Sequence, residues 1–249
     1  MRRSIRLSTR TVLASIVLVA ATGVEAAPLE ISWDKEVAFD YDREHYQREL
    51  RDVVERSYSQ ASAETGLTFQ RQLKVNVLTP ARYEQQFGTG AAFTQGARYH
   101  RGAIYVNGGS RLNDAFSGLV VHEMTHAVLD YRGTGGRLPL WLSEGLAERL
   151  SWKRRGLDDL APNQVAEIQY ARRQGTLIPL PTWGSVSFDY LQCYAAALFF
   201  EKKVGKGRML AVVRRTLQGE SFERALDQEI RWSMTDLERE FVAWVDHLS

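Results

Sequence analysis

A single cysteine, Cys193, stands in the 249 residues of this chain. One thiol cannot close an intramolecular disulfide, so stability has to come from a packed core. Long apolar runs are missing too. A membrane-crossing helix needs roughly 20 apolar residues, and the run from Val12 to Ala21 is about half that. Charge of one sign is not in excess: the formal net charge is +2. The first 26 residues hold Arg2, Arg3, Arg6, Arg10 and Glu25, a net +3, so the remainder carries −1. That balance gives no electrostatic footprint for nucleic acid. The basic cluster from Lys202 to Arg208 reads as a solvated helix end and turn. There is no internal repeat and no low-complexity tract, and histidine is scarce, with five in the chain.

The basic start has its own explanation. Four arginines precede the apolar run, and Val24-Glu25-Ala26 puts small residues at the minus-three and minus-one positions. This is the pattern of a secretory signal, residues 1–26, cleaved after Ala26. Arg6 stands where a twin-arginine signal prefers an apolar residue, so ordinary export is expected. No cysteine follows the run to take a lipid. Residues 27–249 are then expected in the bacterial periplasm or outside the cell, with no stable membrane span after cleavage. They are long enough for one sizeable core.

Two of the five histidines fall in His122-Glu123-Met124-Thr125-His126. A helix turns about 100° per residue, so His122 and His126 share one face, one turn apart. Two neutral imidazoles so placed can fill two corners of a tetrahedral zinc site. Glu123 lies about 100° from one histidine and about 60° from the other. That is too far round for a third ligand, but suits a general base for a metal-bound water. Phe116, Val120, Met124, Ala127, Val128 and Tyr131 form a core face of this helix, and the histidine face carries Leu119 and Leu129. A helix apolar on both sides is buried, and two unpaired imidazoles there would be costly.

Catalytic zinc takes three protein ligands and leaves a fourth position for water. Downstream, Leu142, Leu146 and Leu150 make an apolar stripe that predicts a second helix ending near Gly156. Glu144 and Glu148 lie together on its opposite side, one turn apart. One can bind metal while the other accepts the free N–H of a ligand histidine; spacing alone does not say which. The metzincin pattern fails, because Leu129 and Arg132 occupy its glycine and ligand positions. The G-T-x-x-D pattern begun by Gly133-Thr134 meets Arg137 where aspartate is required. Asp130, one turn past His126, is a further possible ligand.

His122-Glu123-x-x-His126 followed by Trp141-Leu142-x-Glu144-Gly145-Leu146-Ala147-Glu148 resembles the gluzincin metallopeptidases, and within them the bacterial peptidase-MA-like domains. The resemblance is strong from about Ala115 to Leu150 and elsewhere reaches only the order of elements. It implies that Glu144 is the third ligand of one zinc ion per chain, and that Glu148 supports His122. The Gly-x-Met-Glu-Asn signature of the related aminopeptidases is missing.

The expected fold is α+β and zincin-like. A small mixed sheet and the metal helix fill an α/β lobe (27–135), and a helical lobe (136–249) completes the domain. The patterns predict a strand over Ile31–Phe39, a helix over Tyr41–Glu64, a strand over Leu73–Leu78, a short helix over Tyr83–Phe87 and a strand over Gly102–Asn107. Helices then follow over Asn163–Gln174, Tyr190–Lys203, Met209–Leu217, Ser221–Gln228 and Thr235–Leu248, the last with a Thr235/Glu238 capping box. Ile178 to Trp183 forms a proline-stiffened connection. Ala103–Val106 is proposed as the edge strand that would pair with an extended substrate. Tyr194 is the first candidate for oxyanion donor, with Tyr190, Tyr131 and His100 behind it. The expected activity is zinc-dependent hydrolysis of a peptide or protein substrate. The alternatives are a zinc-containing envelope binding or assembly protein and a cell-wall peptide amidase.

Overall fold

A computed structural model of the chain describes residues 29–35, 37, 43–69, 72–130, 133–180 and 189–248. The expected signal segment and Tyr131 lie outside these residues, as do residues 181–183 of the proline-rich connection. Among the described residues, no helix is long and apolar enough to cross a membrane.

The architecture is α+β. Strand β1 (Leu29–Trp33) leads through helix α1 (Arg43–Thr65) to β2 (Leu73–Leu78), which pairs with it in parallel. Two short helices follow, α2 (Pro80–Phe87) and α3 (Ala91–Thr94). Then come β3 (Ala97–His100) and β4 (Ala103–Asn107), joined as an antiparallel hairpin. The sheet order is β1-β2-β4-β3, with β4 parallel to β2. Alternation along β2 buries Leu73, Val75 and Val77 and leaves Lys74 exposed. Ile104 and Val106 join that buried face. Helix α4 (Asp114–Leu129) packs on it at β3 and β4, with α1 alongside, while α2 covers part of the opposite face.

The order of strands corrects one expectation. Ala103–Val106 is not an edge: Tyr105 pairs with Asn76 on one side and Arg98 on the other. The edge strand beside α4 is β3, whose residues carry no clear strand pattern. A two-residue turn creates it. Arg101 (φ 49°) and Gly102 (φ 83°) both adopt left-handed backbone, as the tight hairpin turns that suit strand twist require. Arginine in the first turn position lacks the usual Asn or Asp signal.

After α4 the chain is helical: α5 (Leu140–Arg154), α6 (Pro162–Arg173), α7 (Tyr190–Val204), α8 (Lys206–Leu217), α9 (Phe222–Ile230) and α10 (Met234–Asp246). Helix α5 lies between α4 and α7. Its Trp141 is fully buried, edge-on to Phe200 and Phe222. The cap of α10 differs from expectation. Ser233 and Asp236 exchange the capping bonds, at 3.1 Å and 3.0 Å. Glu238 is instead drawn inward to accept from the Leu180 N–H at 2.7 Å.

Candidate metal centre

Asn113 caps α4, accepting from the Phe116 N–H at 2.9 Å. From that fixed start, apolar residues anchor the helix between α1, α5 and the sheet, and His122, Glu123 and His126 emerge at its free side. Helix α5 presents Ser143, Glu144 and Glu148 to them. The structure brings together His122, His126 and Glu144: the two Nε2 atoms are 3.1 Å apart, and Glu144 Oε2 lies 3.4 Å and 3.3 Å from them. A tetrahedron with ligand bonds of about 2.0–2.1 Å has edges of about 3.3 Å, so the triangle has the size that zinc demands. Among the described residues this is the group of His, Cys, Asp and Glu side chains compact enough to hold a metal ion.

The tautomers agree with that reading. Glu148 Oε1 lies 3.1 Å from His122 Nδ1. Nδ1–H therefore donates outward, and the Nε2 lone pair faces the triangle. Two such lone pairs and a carboxylate oxygen pointing at one another repel unless something positive sits between them. Without a cation that something is a proton. Burial disfavours a charged His122, but hydrogen bonds with Glu144 and Glu148 outweigh it and raise its pKa to about 10. Burial likewise opposes ionisation of Glu144, yet the two imidazoles hold its pKa down to about 2. The pocket is built to keep positive charge.

Three supporting contacts were not predicted. Trp152 Nε1 donates to Glu148 Oε2 at 3.0 Å, holding the carboxylate from behind. Trp152 follows Glu148 by one helical turn, so helix spacing could have shown it. Ser143 Oγ lies 3.4 Å from His126 Nδ1. The Tyr99 backbone N–H donates to Glu123 Oε2 at 2.6 Å, tying β3 to α4. No sequence signal points to that last contact, because it depends on β3.

A cleft of about 410 Å³ opens beside the triangle. Ala97, Arg98 and Tyr99 of β3 form one wall, and Ser143, Glu144 and Tyr190 face them. Glu123 lines the cleft without joining the ligand triangle. Asp130 lines it too, but its carboxylate accepts the Tyr99 phenol at 2.8 Å and is not in the triangle.

The tyrosine expectation needs correction. Tyr194 is fully buried one turn deeper along α7, stacked on Trp152, and does not line the cleft. Tyr190, at the helix start, does line it, with its ring 6.2 Å from that of His122. His100 turns away, edge-on to Phe87.

Comparison with protein-family models and with curated proteins finds no match. The ligand assignment therefore rests on geometry, and it predicts a ranking. Glu144→Ala should leave the purified chain with little zinc by elemental analysis. Glu148→Ala should weaken affinity only about 10- to 100-fold, the usual cost of losing a ligand's support. The opposite ranking would exchange the two roles.

Proposed function

We propose that this chain is an exported zinc-dependent peptidase of gluzincin type, akin to the bacterial peptidase-MA-like domains. In this reading its cleft lies between a zincin-like α/β lobe and a helical lobe. The observation that carries the reading is the two-nitrogen, one-oxygen triangle with a non-ligating glutamate beside it, in the floor of an open cleft. His122, His126 and Glu144 would hold the zinc, which would supply Lewis acidity and a water of lowered pKa.

The chain's own groups do the rest. Glu148 fixes the tautomer of His122. Glu123 takes a proton from the attacking water and returns it to the leaving amine. Its Oε2 is already engaged by Tyr99, which leaves Oε1 for the proton. The outward N–H and C=O of Ala97 and the outward C=O of Tyr99 align an extended peptide along β3, the Tyr99 N–H being held by Glu123. Tyr190 takes the oxyanion-donor role, because it lines the cleft with its ring 6.2 Å from that of His122. The arginine-rich start, apolar run and Val24-Glu25-Ala26 support export.

The test is metal removal. Purified residues 27–249 should contain about one zinc per chain and cleave a denatured protein. Treatment with a chelator should abolish cleavage, and added zinc should restore it. Cleavage that survives complete zinc removal would overturn the proposal. Purified peptidoglycan, digested in parallel, separates a cell-wall amidase from a protein peptidase.

A further inference from the structure

The cleft wall carries a cation, Arg98, seated on an aromatic ring. Side chains alternate along β3. Ala97 is buried and Tyr99 packs against the core, towards α4, while Arg98 and His100 point to the other face, where Phe87 lies. The Arg98 guanidinium carbon sits 5.3 Å from the Phe87 ring centre. Phe87 is itself fixed, with Tyr83 at 4.8 Å, Tyr105 at 5.3 Å and His100 at 5.9 Å between ring centres. The cation therefore rests on an aromatic platform.

Arg98 is exposed at the strand edge. Among the described residues, Arg98 has no carboxylate at ion-pair distance. Arg82, by contrast, is paired with Asp34 at 3.1 Å. The acidic groups of the cleft are already engaged: Glu123 by the Tyr99 amide, Asp130 by the Tyr99 phenol, and Glu144 by the two histidines. Stacking on an aromatic face leaves the in-plane N–H donors of a guanidinium free for a carboxylate. Arg98 directly precedes Tyr99, whose amide touches Glu123, so a peptide paired along β3 would reach both residues, with its alternate side chains on the Arg98 face.

We propose that Arg98 and its Phe87 platform form an anion subsite of the cleft, which takes a carboxylate of an extended peptide. The carboxylate comes from an acidic side chain or from the free chain terminus. Calling that peptide a substrate rests on the peptidase reading; its binding does not. Strand pairing along β3 adds a constraint. Alternate side chains of the bound peptide fall on the Arg98 face, so an acidic residue should help at every second position and not at those between.

The test is binding without turnover, using zinc-loaded Glu123→Gln and fluorescent hexapeptides on one neutral frame. Glutamate replaces glutamine at one position at a time, with the terminus free or amidated. Glutamate at alternate positions, or the free terminus, should tighten binding about fivefold at low ionic strength, and added salt should shrink the gain. Which arm gains identifies the source. Introducing Arg98→Ala or Arg98→Gln should erase the gain, whereas Arg98→Lys should keep part of it.

The subsite is refuted if no carboxylate tightens binding, or if the gain survives in Arg98→Ala and Arg98→Gln. Cleavage of the same peptides by the parent keeps the two proposals apart. Arg98-dependent binding without cleavage would sink the peptidase reading alone. Cleavage with no carboxylate preference would sink the subsite alone.

Discussion

Glu123→Gln should retain zinc at the parent level and lose about 10³-fold in kcat on any peptide the parent cleaves. The amide has the shape of the carboxylate. Its carbonyl oxygen can still accept the Tyr99 N–H that now binds Oε2 at 2.6 Å, so the side chain should keep its place. Glu123 is outside the ligand triangle, and the metal has no reason to leave. What disappears is the basic oxygen that, on the peptidase reading, accepts the water proton. Zinc measured by elemental analysis and kcat measured on one peptide are therefore expected to separate cleanly. Equal kcat would mean that Glu123 is not the base. Lost zinc would mean that it serves the metal.

Much of the candidate site was legible because it sits on two helices. Helical spacing alone puts His122 with His126, and Glu144 with Glu148, and their apolar neighbours turn these faces toward each other. The walls of the cleft were harder. Strand β3 is four residues long, and its Arg98 and His100 face a small aromatic cluster instead of a long apolar one. Whether β4 is an edge or an internal strand depends on pairing with distant residues, which local pattern does not encode. Tyr190 and Tyr194 differ by one turn on one strip of α7, so only packing decides which reaches the cleft. Trp152 fills the space at Tyr194 and leaves Tyr190 at the mouth. The two overlapping capping patterns before α10 are decided in the same way, since Glu238 is taken by the backbone of Leu180.

The substitution expected to damage the fold most is Gly145→Ala, one methyl group beside a proposed ligand. A Cβ at Gly145 would lie 2.2 Å from the carbonyl oxygen of Cys193 and 2.7 Å from Ala197 Cβ. The first obstacle is backbone in the first turn of α7, so no side chain can swing aside. Helices α5 and α7 would have to separate, opening a core in which Leu142, Leu146, Ala196 and Phe200 are buried. Forced overpacking of this kind costs about 3 kcal/mol. In a chain of this size that lowers Tm by about 10 °C in a thermal melt. Glu144 and Glu148 flank the strained turn, so zinc affinity should fall with stability. Gly207→Ala is the control, because a Cβ there meets nothing within 4 Å and its backbone is not left-handed. In the first turn of α8 it should leave Tm unchanged or raise it slightly. If the two variants melted alike and held zinc alike, the close approach of α5 and α7 would not be what sets Glu144 against the histidines.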